Sequence, residues 1–199
     1  MLKFYHGPQT RSSSILWLLE ELAVPYEMEV IDIRAPGGVP DDYRAIQPHK
    51  KVPAIVHDGI AITERAAIAA YLADAFPAAG LAPAIGDPRR GPYLTMLAYV
   101  DAVADPAISA RALNLDYDGF AVSFGRFDDL VANLERRLSA QPYAVGDSFT
   151  AADTQLGLMI HYSRNILGTL PDLPAFRDYL GRVTARPAFQ RLGALDAGR

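Results

Sequence analysis

Apolar and polar positions change period several times along this chain, and each change marks an element. Residues 2–5 form a short apolar run that Gly7 and Pro8 end, which predicts a strand. In "SSSILWLLEEL" three serines lead into Ile15, Leu16, Leu18, Leu19 and Leu22, an apolar stripe at helical spacing that Pro25 stops. "YEMEVIDI" alternates imperfectly and reads as a strand; "RAPGGVP" is a loop, and residues 41–46 a short helix. "VPAIV" and "IAIT" are two strands, and Asp58-Gly59 between them predicts a tight hairpin turn. "TERAAIAAYLADAF" is an Ala-rich helix with Ile68, Tyr71, Leu72 and Phe76 on one side. Residues 1–76 therefore read β-α-β-α-β-β-α.

Residues 77–92, "PAAGLAPAIGDPRRGP", carry Pro77, Pro83, Pro88 and Pro92 and cannot sustain a helix, so they read as a linker. Every later segment has helical periodicity. Residues 93–104 place Leu94, Leu97, Tyr99 and Val100 in helical register, and Asp105-Pro106 is expected to kink or end that helix. Phe120, Phe124, Phe127, Val131, Leu134 and Leu138 recur every three or four residues. Residues 150–167 form another helix and 174–185 the last one. The fold class is α/β plus all-α, with a first domain over 1–76, the linker over 77–92 and a helical domain over 93–199.

Composition narrows the function. Half the residues are hydrophobic, enough for a core, and the net charge is −4 with no basic run, which argues against nucleic acid as a partner. There is no stretch of about 18 apolar residues, so no membrane span is expected. The N-terminus lacks a charged region followed by a long apolar stretch, so no signal peptide is expected. The chain has no cysteine, which excludes a protein thiol nucleophile, a CxxC redox pair and thiolate metal ligands, and fits a cytoplasmic setting. His6, His49, His57 and His161 are scattered without ligand spacing, so no metal site is expected.

One residue breaks the pattern. Val52, Ala54, Ile55 and Val56 read as a buried strand, yet Pro53, which cannot donate to a sheet ladder, sits at its start. That proline, the element order, and the stretches "LLEELAVPYE", "KKVPAIVHDGIAITE", "AIAAYLAD" and "GDSFTAAD" together resemble the cytosolic glutathione transferases, over nearly the whole chain. The resemblance implies a thioredoxin-like first domain, a helical second domain and a serine-type bacterial branch. It also implies a cis Val52–Pro53 bond, which costs only about 0.5–1 kcal/mol relative to trans. Val52 would then present its N–H and C=O to the extended tripeptide glutathione, as an added strand would.

The remaining site residues follow from what glutathione demands. It bears two carboxylates and an amine. Glu64 opens the third helix and could accept from the amine, where the helix N-terminus suits an anion. The family's serine after that acid is Arg65 here, which either holds a carboxylate through its fork of donors or points to solvent. In several branches of the family a lysine at the place of Lys51 reaches the glycyl carboxylate; Lys50 reads as solvated. The reactive group is the ligand's own thiol, mostly protonated at neutral pH unless hydrogen bonds favour the thiolate. Three hydroxyls are candidates: Thr10, by its distance before Ile15; Ser12, if the loop shifts by two residues; and Tyr5, at the end of the first strand. One of Ser12, Ser13 and Ser14 is expected to cap the helix. Thr150 and Asp153 form a helix capping box and read as structural. The resemblance further implies a small hydrophobic electrophile as second substrate and a homodimer. A glutathione-dependent peroxidase, isomerase or dehalogenase, or a non-catalytic glutathione binder, stands as the alternative.

Overall fold

The computed structural model describes residues 1–197. The chain divides into two compact units: Met1–Ala79 together with the segment from Pro187 onward, and Gly80–Arg186.

The first unit is built on a four-stranded mixed sheet in the order β2-β1-β3-β4, comprising β1 (Leu2–His6), β2 (Glu27–Val30), β3 (Ala54–His57) and β4 (Ile60–Thr63). β1 pairs parallel with β2 and antiparallel with β3, and β3 pairs antiparallel with β4. The parallel pair needs a crossover, which helix α1 (Ser13–Leu22) supplies. The hairpin between β3 and β4 turns at Asp58 and Gly59, both with positive φ, as a tight two-residue turn requires. A 3-10 turn at Asp41–Ala45 and helix α2 (Arg65–Ala75) complete the expected order. This is the thioredoxin-like arrangement. Strand alternation sends Phe4 and His6 to one face and Tyr5 to the other, where Tyr5 packs with Ile31, Val39, Tyr43 and Ala54.

The unit also contains a helix that periodicity did not reveal. After Pro174–Thr184 the chain breaks for one turn, and Pro187 starts α8 (Pro187–Asp196), which packs on α1. Proline suits a first helical position, where its missing N–H costs nothing. Trp17 of α1 meets Phe189 edge to face with ring centroids 4.8 Å apart, and Arg191 pairs with Glu20 at 2.9 Å.

The second unit is helical: α3 (Arg90–Tyr99), α4 (Asp105–Ala112), α5 (Phe127–Ala140), α6 (Ala151–Asn165) and α7 (Pro174–Thr184). At Asp105-Pro106 the α-helical pattern is interrupted: a π-helical turn at Val100–Ala104 separates α3 from α4 and leaves Pro106 in the first turn of α4. One expectation needs correction. Phe120 and Phe124 do not belong to α5, which starts at Phe127. They lie in a loop, and Phe120 is 85% exposed with Arg126 over its ring. Tyr93, Met96 and Val100 are bundle core.

Candidate functional site

The sheet register brings the sequence-distant site residues together. Tyr5 pairs with Ala54 and Ala54 with Thr63. Continuing the register, Glu64 falls beside Pro53 one step past the last pair, and Gly7 beside Val52 two steps past. Gly7 is the point of closest approach: a Cβ there would stand 3.0 Å from Val52 Cγ2 and 3.3 Å from Thr10 Cγ2. Thr10 and Val52 therefore flank one glycine, while Glu64 follows β4, across β3 from it.

Val52–Pro53 is a cis peptide bond. Among the described residues neither the amide nor the carbonyl of Val52 has a hydrogen-bond partner, although both neighbouring segments do. The loop before it is held from behind. Buried Gln47 accepts the amides of His49 at 2.6 Å and Lys51 at 3.3 Å through one oxygen, and the Tyr43 hydroxyl donates to the Lys51 carbonyl at 3.0 Å. The Lys51 side chain is exposed and has no partner among the described residues. Lys50 is not the solvated lysine expected. It takes positive φ, and its ammonium donates to the Val39 carbonyl at 2.6 Å and pairs with Asp41 at 2.5 Å, tying the loop to the 3-10 turn.

Glu64 is the residue before α2, exposed and at φ 65°, a conformation that costs a non-glycine residue about 1–3 kcal/mol and persists where the surroundings determine it. It leaves its carboxylate beside the positive end of the α2 dipole. Arg65 is buried and engaged, which excludes the solvent-facing alternative.

The three hydroxyl candidates separate clearly. The Tyr5 ring lies 5.4 Å from that of Tyr43 with the Lys3 ammonium over its face, on the side of the sheet opposite His6 and the first loop. Tyr5 is buried among Ile31, Val39, Tyr43 and Ala54, which sets it apart from the half-buried Thr10. Ser12 is fully buried, and its Oγ lies 2.8 Å from His6 Nδ1, 2.8 Å from Thr10 Oγ1, and 3.0 Å from both the amide and carbonyl of Gly7. A hydroxyl donates once and accepts twice, so Ser12 is saturated and has nothing to offer a ligand. Nor does Ser12 cap α1 with its side chain, although it holds the cap position, because the oxygen is turned back to His6 and Gly7. Thr10 is as fully partnered, since its hydroxyl donates to the Gly7 carbonyl at 2.7 Å, accepts the Ser12 amide at 3.1 Å and lies 2.8 Å from Ser12 Oγ, but it is only half-buried, so a ligand can reach it and displace a partner. It is the one candidate hydroxyl near Gly7 that keeps access to solvent.

Behind this loop lie two residues that sequence reasoning passed over. His6 is fully buried; its Nδ1 meets Ser12 and its Nε2 stands 3.0 Å from Asp196 Oδ1 without the alignment of a well-directed hydrogen bond. Asp196 also accepts the Ser13 hydroxyl at 2.7 Å and the Gln9 amide at 3.1 Å. His6 had the signal of sitting between the first strand and the serines. Asp196 had none, because its helix was not recognised. Among the described residues no group of three His, Asp or Glu could hold a metal ion.

An extended peptide with a thiol and terminal carboxylates and amine fits these groups: main-chain pairing at Val52, a cation at Lys51, an acid and a helix start at Glu64, and a hydroxyl at Thr10. Known proteins agree with that chemistry. Residues 11–75 match the family model described as glutathione S-transferase, N-terminal domain. Glutathione S-transferase 3 of Schizosaccharomyces pombe is 28% identical over 201 residues, covering 92% of this chain and 77% of the relative. A probable maleylacetoacetate isomerase of Caenorhabditis elegans is 29% identical over 175 residues, covering 77% of this chain and 80% of the relative. A solved sphingomonad glutathione S-transferase complexed with glutathione superposes with a TM-score of 0.80 at 26% identity, covering 99% of this chain and all of that one.

Proposed function

The chain belongs to the glutathione transferase family, and from that premise we propose that its first unit binds glutathione around Gly7 and activates the thiol for attack on a small hydrophobic electrophile. Glutathione, as co-substrate, supplies the sulfur nucleophile. Val52 pairs its main-chain N–H and C=O with the cysteinyl part. Lys51 holds the glycyl carboxylate. Glu64 accepts from the γ-glutamyl amine, and the start of α2, with Arg65 fixed behind it, faces the neighbouring carboxylate. Thr10 turns its hydroxyl hydrogen from the Gly7 carbonyl to sulfur, which favours the thiolate and lowers the cost of ionisation. The S–H proton leaves to solvent, the sulfur lone pair forms the new C–S bond, and the leaving group departs with its electron pair. The protein orients both reactants without covalent catalysis.

The observation that carries this reading is the approach of Thr10 and Val52 at Gly7, with Glu64 one residue past the Ala54–Thr63 pair on the adjoining strand. Calorimetric titration with glutathione at millimolar levels should give saturable heat; none would sink the reading. Thr10→Ala should lower kcat about 100-fold, the low end of the range for one donor to a developing anion, with the KM for glutathione changed less than threefold. An unchanged kcat removes Thr10 from the chemistry.

A glutathione-dependent isomerisation is the second reading, supported by the likeness to a probable maleylacetoacetate isomerase. A panel of cis-dienoic acids and aryl halides decides between them. We also propose a homodimer that works in the cytoplasm. No described helix is long and apolar enough to cross a membrane, and light scattering at micromolar concentration reads the assembly.

A further inference from the structure

We infer that Asp196, at the end of α8, is a positioning residue for Thr10, holding the first loop in the conformation that presents the Thr10 hydroxyl to sulfur; this rests on the reading of Thr10 given above.

A carboxylate at the C-terminal end of a helix is locally unfavourable, because it adds negative charge where the macrodipole is already negative, at a cost of about 0.3–1 kcal/mol. Asp196 is the last residue of α8. What offsets the cost is the company it keeps. Its Oδ1 alone accepts the Gln9 amide and the Ser13 hydroxyl and faces His6 Nε2. One oxygen thus touches the loop before, within and after its turn. Burial by itself would raise the Asp196 carboxyl, but His6, the Ser13 hydroxyl and the Gln9 amide together hold it below its ordinary value.

Two routes lead from that oxygen to Thr10. The shorter runs along the backbone. Gln9 adopts φ 55°, a left-handed conformation that an ordinary residue keeps only when its surroundings determine it. Its amide is the one Asp196 holds, and Thr10 is the next residue. The longer route runs through side chains, from His6 to Ser12 Oγ and on to Thr10 Oγ1. Releasing Asp196 frees Gln9 to relax toward negative φ and removes one wall from His6. Thr10 then loses the orientation that both routes define, while Val52, Lys51 and Glu64, on other segments, keep theirs. The expected signature is a loss in kcat with glutathione binding retained. A displacement of about 1 Å at a reacting group costs on the order of 100-fold in rate.

The test is a set of variants of the full chain, assayed for kcat, glutathione KM and calorimetric glutathione binding. Asp196→Asn keeps the same oxygen in the same place, so kcat should stay within about threefold of wild type. Asp196→Glu keeps the charge but pushes the oxygen out by one methylene, and Asp196→Ala removes it; both should lose about tenfold or more in kcat with KM changed less than threefold. Asp196→Glu decides the matter even if the alanine variant does not fold. Arg191→Ala, which cuts a different tether of α8 to α1, should leave kcat unchanged. The inference is overturned if Asp196→Glu matches wild type, if Asp196→Asn falls as far as Asp196→Glu, or if Arg191→Ala shares the loss. Thr10→Ala in the same assay separates the two levels. Without an effect there, the reading of Thr10 itself fails; with one, and none in the Asp196 series, only the positioning role fails.

Discussion

Asp153 and Asp196 solve the same problem, a carboxylate drawn into the protein and surrounded by donors, in opposite ways. Asp153 sits in the first turn of α6, fully buried, and shares its load between two oxygens. Oδ1 accepts the Ala144 amide and the Tyr179 hydroxyl, and Oδ2 accepts the Thr150 amide and hydroxyl. Asp196 keeps 17% of its side chain exposed and gathers its partners on one oxygen. Burial pushes the Asp153 carboxyl up to about 6 in spite of four donors, all neutral. At Asp196, less deeply buried and faced by His6, the donors win and the carboxyl is lowered. The difference teaches where each belongs. Asp153 is closed off and serves the integrity of the second unit; Asp196 lies under a loop whose next hydroxyl still meets solvent.

The contrast can be attacked at several strengths. The largest effect is expected from Asp153→Ala, which strands the Ala144 and Thr150 amides and the Tyr179 hydroxyl. At about 1–3 kcal/mol per unsatisfied buried group, partly relieved by water entry, urea denaturation should show a loss of about 3–4 kcal/mol. A loss below about 1 kcal/mol would erase the structural role assigned to it. The next effect is in pH. The folded Asp153 carboxyl, at about 6, binds its proton more tightly than the unfolded one at about 3.9. The stabilisation is therefore full below about pH 4 and is lost as pH rises through 6, on the order of 2–3 kcal/mol. The difference in stability between wild type and Asp153→Asn should fall across that window; a flat difference refutes the assignment. Asp196 has the opposite sign, contributing stability above about pH 4 that disappears as pH falls through its lowered value. The smallest effect concerns the docking of α8. Phe189→Ala should cost about 1–2 kcal/mol, less than a fully buried Phe, and shift the emission of Trp17, the chain's single tryptophan, to the red. Unshifted emission would mean that α8 does not depend on that ring.

The same two residues mark how much could be read from the sequence. Thr150 and Asp153 are three positions apart, and a capping box is a local pattern, so its structural role was visible. The β-α-β-α-β-β-α order was legible too, since each element carries its own periodicity and punctuation. Asp196 meets Gln9 and Ser13 across 187 and 183 residues, a pairing that no window of sequence contains. Helix α8 begins at Pro187, just past residue 185 where the last expected helix stopped, and its ten residues were not recognised as an element. Phe120 and Phe124 kept helical spacing in a loop, where periodicity without burial carries no weight. The choice among Thr10, Ser12 and Tyr5 turned on which face of the strand and which side of the loop each hydroxyl takes, and counting positions cannot supply that.

The return of α8 to the first unit has a consequence for how the protein is made. A ribosome releases β1, the first loop and α1 long before residues 187–196 exist, so nascent chains carry Gln9, Ser13 and His6 without their shared acceptor and Trp17 without its aromatic neighbour. Closure across so large a separation is entropically slow. The first loop is thus completed by a segment translated long after it, and a fragment cut after residue 79 should not be expected to stand in for the binding unit.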